Sequence, residues 1–164
     1  MIEREFLTDA AGRLLNNMKA IETCTAKLTP EQIWARHSER ENAIGNLMLH
    51  LAGNLRQQII AALAGEPDIR VRDAEFSARS GHSPEELRGL LRSLVEQAAE
   101  VIRSYPEDKL TEQVAPPGRV PSSAFALITH VITHFTGHTY QIIFAAKTHT
   151  TEAFSIFAPA RPAR

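Results

Sequence analysis

Apolar residues recur at three- and four-residue steps through four long segments of this chain, and that period commits it to packed helices. The first segment carries Ile2, Phe6, Ala10, Leu14, Met18 and Ile21 and predicts a helix to about Leu28. Thr29, Pro30 and Gln32 then spell a capped start for a short helical piece through Trp34. The second long helix is expected over about Asn42 to Ala64, with Ile44, Met48, Leu51, Leu55, Ile59 and Ala62 as its stripe and Gly65 as its stop. Ser83, Pro84, Glu85 and Glu86 open the third, which uses Leu87, Leu90, Leu91, Leu94, Ala98, Val101 and Ile102 and ends at Tyr105 and Pro106. The fourth opens at Pro121 and Ser122 and continues to about Lys147.

The connectors are long. Pro67 to Gly81 lacks a period and is dense in charge, which reads as too polar for a core element. Pro106 to Pro121 carries Pro116 and Pro117, which forbid helix and argue against a central strand. With no convincing strand and no repeat, the expected architecture is all-α, a four-helix bundle in one domain over residues 1–157, followed by a poorly ordered tail at 158–164. Connectors of this length leave the packing order open.

At 164 residues the chain buries a core without disulfides or structural metal. A net charge of -1 without a basic run speaks against nucleic acid as a partner. No apolar run approaches the roughly 18 residues of a membrane span, and the acidic start Met1-Ile2-Glu3-Arg4-Glu5 is unlike a signal peptide, so a cytoplasmic protein is expected. The single cysteine, Cys24, reads as a small hydrophobe.

Chemistry concentrates in Ile128 to Ile143, where His130, His134 and His138 follow one another at four-residue intervals. Residues four apart on a helix have Cβ atoms about 5 to 6 Å apart, so two such imidazoles can converge on one ion. With Leu127 at the centre of the apolar face, His134 and His138 fall within roughly 20° of it and point inward, while His130 falls about 60° to one side. Two buried imidazoles need partners, which a metal satisfies together and separate hydrogen bonds satisfy equally well. A third ligand is needed for an open catalytic site, and His50, in the middle of the second helix, is the candidate, although its wheel position is about 120° from its own stripe. His37, His82 and His149 read as surface. His134-Phe135-Thr136-Gly137-His138 lacks the glutamate of a metalloprotease motif.

His50 on the second helix, joined to His134-x-x-x-His138 and Gln141 on the fourth, resembles the DinB/YfiT-like superfamily of metal-binding four-helix bundles. The resemblance covers the chain from the first helix to about Lys147, and Asn46 to Arg56 with Arg72 to Phe76 looks like an uncharacterised subfamily. It implies an up-down-down-up bundle with a long crossover, often a homodimer, and a divalent metal such as zinc or nickel on His50, His134 and His138. Characterised relatives include thiol S-transferases that use low-molecular-weight thiols and a thiol-dependent isomerase. Where many members read His-x-Gly-Gln, this chain has His138-Thr139-Tyr140-Gln141, so Tyr140 replaces a small residue and altered packing is expected there.

The function expected from these residues is metal-dependent chemistry on a small molecule, either thiol transfer or hydrolysis, by Lewis-acid activation. Asp73 and Glu75 are candidates for orienting the ligands or acting as bases, Arg56 and Arg72 for clamping an anion, and His130, Tyr140 and Gln141 flank the site. For the four charged residues, solvated surface charge is the competing reading. A rival for the whole chain is a non-catalytic dimeric or ligand-binding bundle whose histidines are structural or opportunistically metallated.

Overall fold

Helix α1 (Ile2–Thr25) forms where the first stripe predicts it and buries Leu7, Ala10, Ala11, Leu14, Met18 and Ile21, while Ile2 stays exposed. It ends three residues before Leu28. In this computed structural model, which describes residues 1–150, the expected tail at 158–164 and the domain limit at 157 lie outside the described residues. Helix α2 (Pro30–Ile33) has the capping box read from Thr29 and Gln32.

The second long segment is divided into α3 (Ile44–Leu55), a π-helical stretch at Arg56–Ala61 and a last turn, α4 (Ala62–Ala64). Gly65 ends it at φ 74°, a left-handed conformation in which a Cβ is strained. Helix α6 (Pro84–Ser104) starts on the box of Ser83 with Glu86, and α7 (Ala124–Thr148) starts on the Ser123 hydroxyl, which accepts the Ala126 N–H. That start is two residues later than Pro121 and Ser122 suggested.

Two connectors depart from expectation. Residues 67–81 contain helix α5 (Arg72–Ser77), packed on α3, with Glu75 buried. Asn46, fully buried on α3, fastens it: the side-chain amide donates to the Glu75 carbonyl at 2.8 Å and the Ala78 carbonyl at 2.9 Å, and its oxygen accepts the Ala43 N–H at 3.1 Å. The polar composition that suggested a surface loop thus supplies buried hydrogen bonds. After a 3-10 turn at Glu107–Lys109, β1 (Gln113–Val114) pairs antiparallel with β2 (Ser122–Ser123), in the register Gln113 to Ser123 and Val114 to Ser122. The three prolines fall in the loop between the strands, where no ladder N–H is required, so they do not prevent this pairing.

The described residues are all-α apart from that ladder. Helix α1 packs against α6 and α7, and α3 packs against the same two, so apolar faces of the four long helices meet in one core around Leu14, Ile21, Leu51, Leu55, Leu91, Val95, Val131 and Phe135. Asn17 on α1 also donates to the Thr136 hydroxyl on α7 at 2.8 Å. Among the described residues no helix is long and apolar enough to cross a membrane.

Candidate metal centre

His50 reaches the centre from the middle of α3 and His134 and His138 from successive turns of α7. One nitrogen from each lies within 4.8 Å of the other two. His50 Nε2 is 3.1 Å from His134 Nε2, and His138 Nε2 is 3.2 Å from the same atom. The helical wheel put His50 on a flank of its own helix, yet it is only 6 % exposed. Helix α5 covers that flank, with the Phe76 ring 4.8 Å from the imidazole.

The outer nitrogens determine what the inner ones offer. His50 Nδ1 lies 3.0 Å from Glu75 Oε2, and since a carboxylate only accepts, the ring proton belongs on Nδ1. His138 Nδ1 lies 2.8 Å from Gln141 Oε1, which assigns its proton in the same way. Both Nε2 atoms then carry lone pairs, and both are aimed at His134 Nε2. That atom has at most one proton to give, so two neighbours cannot both be satisfied by hydrogen bonds. His134 Nδ1 is buried and has no hydrogen-bond partner among the described residues. Converging lone pairs repel unless a cation lies among them, and three neutral imidazoles are a donor set that divalent ions such as zinc accept. The residues present fit a metal ion.

Behind His50 stands an ion pair. Arg70 donates from Nε to Glu75 Oε1 at 2.7 Å and from Nη2 to Oε2 at 2.9 Å, a two-pronged contact between side chains only 2 % and 8 % exposed. Arg70 Nη1 continues to Gln57 Oε1 at 3.0 Å. Arg70 Nη2 and His50 Nδ1, 3.1 Å apart, sit as two donors on the same Glu75 oxygen. The carboxylate backs onto Gly53, where a Cβ would overlap Glu75 Oε1 and lie 2.9 Å from its Cδ and 3.0 Å from Arg70 Nε.

The electrostatics favour the neutral form of His134 and His138. Burial lowers the His134 pKa to about 4, with further lowering from His138, His50, His130 and Arg70. Burial also lowers that of His138, more than the Gln141 contact raises it, and His50 adds to the lowering. For Glu75, burial pushes the pKa upward, but hydrogen bonds and charges of Arg70 and His50 outweigh it and hold the carboxyl below its usual range. Neutral imidazoles backed by an ionised carboxylate are the state in which histidine binds metal.

Of the other residues singled out in the sequence, Glu75 and Gln141 reach the histidines. Arg72 and His130 line the adjoining cavity of about 560 Å³. Arg56 does not: it pairs with Glu66 at 3.6 Å and lines a different depression. Asp73 is exposed and makes no contact with the cluster, and Tyr140 is 55 % exposed and lies outside the cavity lining. The packing change expected from Tyr140 therefore does not reach the cavity. Sequence reasoning missed Arg70, Asn54 and Gln58. The last two were visible as polar residues at four-residue steps after His50; Arg70 carried no such signal.

Fold and site together define an all-helical protein with three histidines close enough to bind one metal ion. The chain belongs to an uncharacterised family, described as protein of unknown function (DUF1572), whose model matches residues 1–162. No curated protein matches it.

Proposed function

We propose that this chain is a metal-dependent enzyme acting on a small molecule, with His50, His134 and His138 holding one divalent ion, zinc or nickel. The observation that carries the reading is the proton arithmetic at His134 Nε2, where two outward-tethered imidazoles aim lone pairs at a third. In this reading the four long helices form a DinB/YfiT-like up-down-down-up bundle, one domain over residues 1–157, working in the cytoplasm as a homodimer. The packing of α1 and α3 against the same two helices supports the bundle, and the sequence resemblance supports the rest.

Such an ion supplies Lewis-acid activation of a water or thiol. The protein's own contribution begins with orientation. Glu75, clamped by Arg70, holds the His50 proton on Nδ1 and keeps Nε2 free, and Gln141 does the same for His138. Phe76 and the buried ion pair close the α5 side to water, so access is from the cavity, which His50 and His134 both line. Thiol transfer, with a low-molecular-weight thiol as cosubstrate, asks less of this cavity than hydrolysis. Glu75 is committed to Arg70 and His50, and no carboxylate is among the described residues that line the cavity.

The open cavity beside the histidines supports the enzyme over the non-catalytic bundle. Elemental analysis of protein purified without a histidine tag tests the metal: a stoichiometric divalent ion, lost on His134→Ala, is expected. Absence of such an ion, or unchanged content in the variant, overturns the proposal. A thiol-transfer screen with and without chelator then tests the reaction.

A further inference from the structure

We infer that the cavity beside the three histidines binds a small amphiphilic oxyanion, with a carboxylate or phosphate between Arg72 and Arg119 and a neutral hydrogen-bonding centre against Asn54 and Gln58. This names the substrate class for the proposed metal site and rests on that reading for its catalytic meaning.

Asn54 points most directly to a ligand. It lines the cavity, is only 6 % exposed, and its side chain makes no hydrogen bond among the described residues. With no partner in the chain, that amide keeps its donor and acceptor for whatever occupies the cavity. Gln58 also lines the cavity, 4 % exposed, its amide nitrogen reaching Gln57 Oε1 at 3.3 Å and its own oxygen accepting no hydrogen bond among the described residues. The π-helical stretch at Arg56–Ala61 explains why Gln58 joins Asn54 in the lining. In a regular α-helix each four-residue step over-rotates by about 40°, which over two steps carries a residue well off the line of His50. The wider π turn takes up that excess and keeps Gln58 in the lining.

Two cationic side chains also line the cavity. Arg72 comes from α5, its guanidinium 4.9 Å from the Phe76 ring centre, and Arg119 from the turn closed by its N–H to the Pro116 carbonyl at 2.9 Å. Arg56, Arg70, Arg88 and Arg103 each meet a carboxylate, but neither cavity arginine does among the described residues. With no acid among the described residues of the lining, these two exposed guanidinium groups are available to a carboxylate or phosphate. Leu127 and Val120 give the remaining wall an apolar surface, and about 560 Å³ suits a small organic molecule.

Calorimetric titration of the full chain, as purified and after chelator treatment, tests this with hippurate, its neutral amide hippuramide, and phenyl phosphate. Hippurate is expected to bind at least about tenfold more tightly than hippuramide, with Arg119→Gln removing that difference. Asn54→Ala should weaken hippurate and hippuramide but not phenyl phosphate. Tighter binding of hippurate than phenyl phosphate supports a carboxylate ligand, and the reverse order supports a phosphate ligand. Equal binding of hippurate and hippuramide, or no binding of either anion, overturns the inference. So does a preference for the anion that survives Arg119→Gln and vanishes with chelator, since the ion alone then explains it. Because Arg119 lies on an exposed turn, its variant remains informative if Asn54→Ala fails to fold. A chain that carries no metal as purified and still discriminates sinks the metal reading and leaves this inference standing; a metallated chain that does not discriminate sinks this one alone.

Discussion

Gly53→Ala inverts the usual expectation for a glycine inside a helix. Replacing it in mid-helix normally stabilises by about 1 kcal/mol, because alanine restricts the unfolded chain and favours helix. Here the new Cβ would overlap Glu75 Oε1 and press on Arg70 Nε, and both side chains are buried. Removing one partner of a buried pair costs about 3 to 5 kcal/mol. Displacement keeps both partners, so about half of that cost is a reasonable scale, and the helix gain offsets about 1 kcal/mol of it. The expected net effect is destabilisation by about 1 kcal/mol, read as a lower urea midpoint at unchanged slope. Since Glu75 also orients His50, metal affinity should fall by about 10- to 100-fold. A raised midpoint with metal affinity intact would refute the placement of the Glu75 carboxylate against Gly53.

Arg70→Leu should cost about 3 to 5 kcal/mol by leaving the Glu75 carboxylate buried and unpaired, and Arg70→Leu with Glu75→Leu should recover most of it. A denaturation double-mutant cycle with strictly additive losses would contradict the coupling. The metal-stripped chain should lose stability as pH falls. His134 has an ordinary pKa of 6.5 when unfolded and about 4 when folded, so between those values the unfolded state takes up a proton that the folded state refuses. The loss begins near pH 6.5 and is complete near pH 4, and a urea midpoint that stays level across this range counts against it. Burial pushes the Cys24 thiol up to about 12, so the folded chain should resist a thiol reagent at pH 8 and react on unfolding. Rapid reaction of the native chain would show that α1 opens there.

Periodicity was enough to locate the long helices, because each buries one continuous stripe and the stripe is written at the helical step. The capping boxes at Thr29 and Ser83 were equally legible, being local contacts between residues three apart. Inward placement of His134 and His138 needed only their distance along one helix, while their partner on α3 was a guess that the family resemblance supported. The sequence alone therefore determined an all-α chain with a histidine pair on its last helix, which the structure leaves half-buried rather than inside the core.

Tertiary structure decided what surrounds that pair. His50 looked flanking because the wheel describes one helix in isolation, and it is buried because α5 lies across that side. Residues 67–81 looked like surface because charge normally stays in water; Arg70 and Glu75 are buried because each compensates the other and Asn46 fastens their segment to α3. The role of Glu75 beside His50 and the gathering of Asn54, Arg72 and Arg119 around one cavity all depend on contacts between residues far apart in the chain. Composition and periodicity report the average environment of a residue type. A compensated charge or a cavity-lining amide is defined by its particular neighbours, and only folding supplies those.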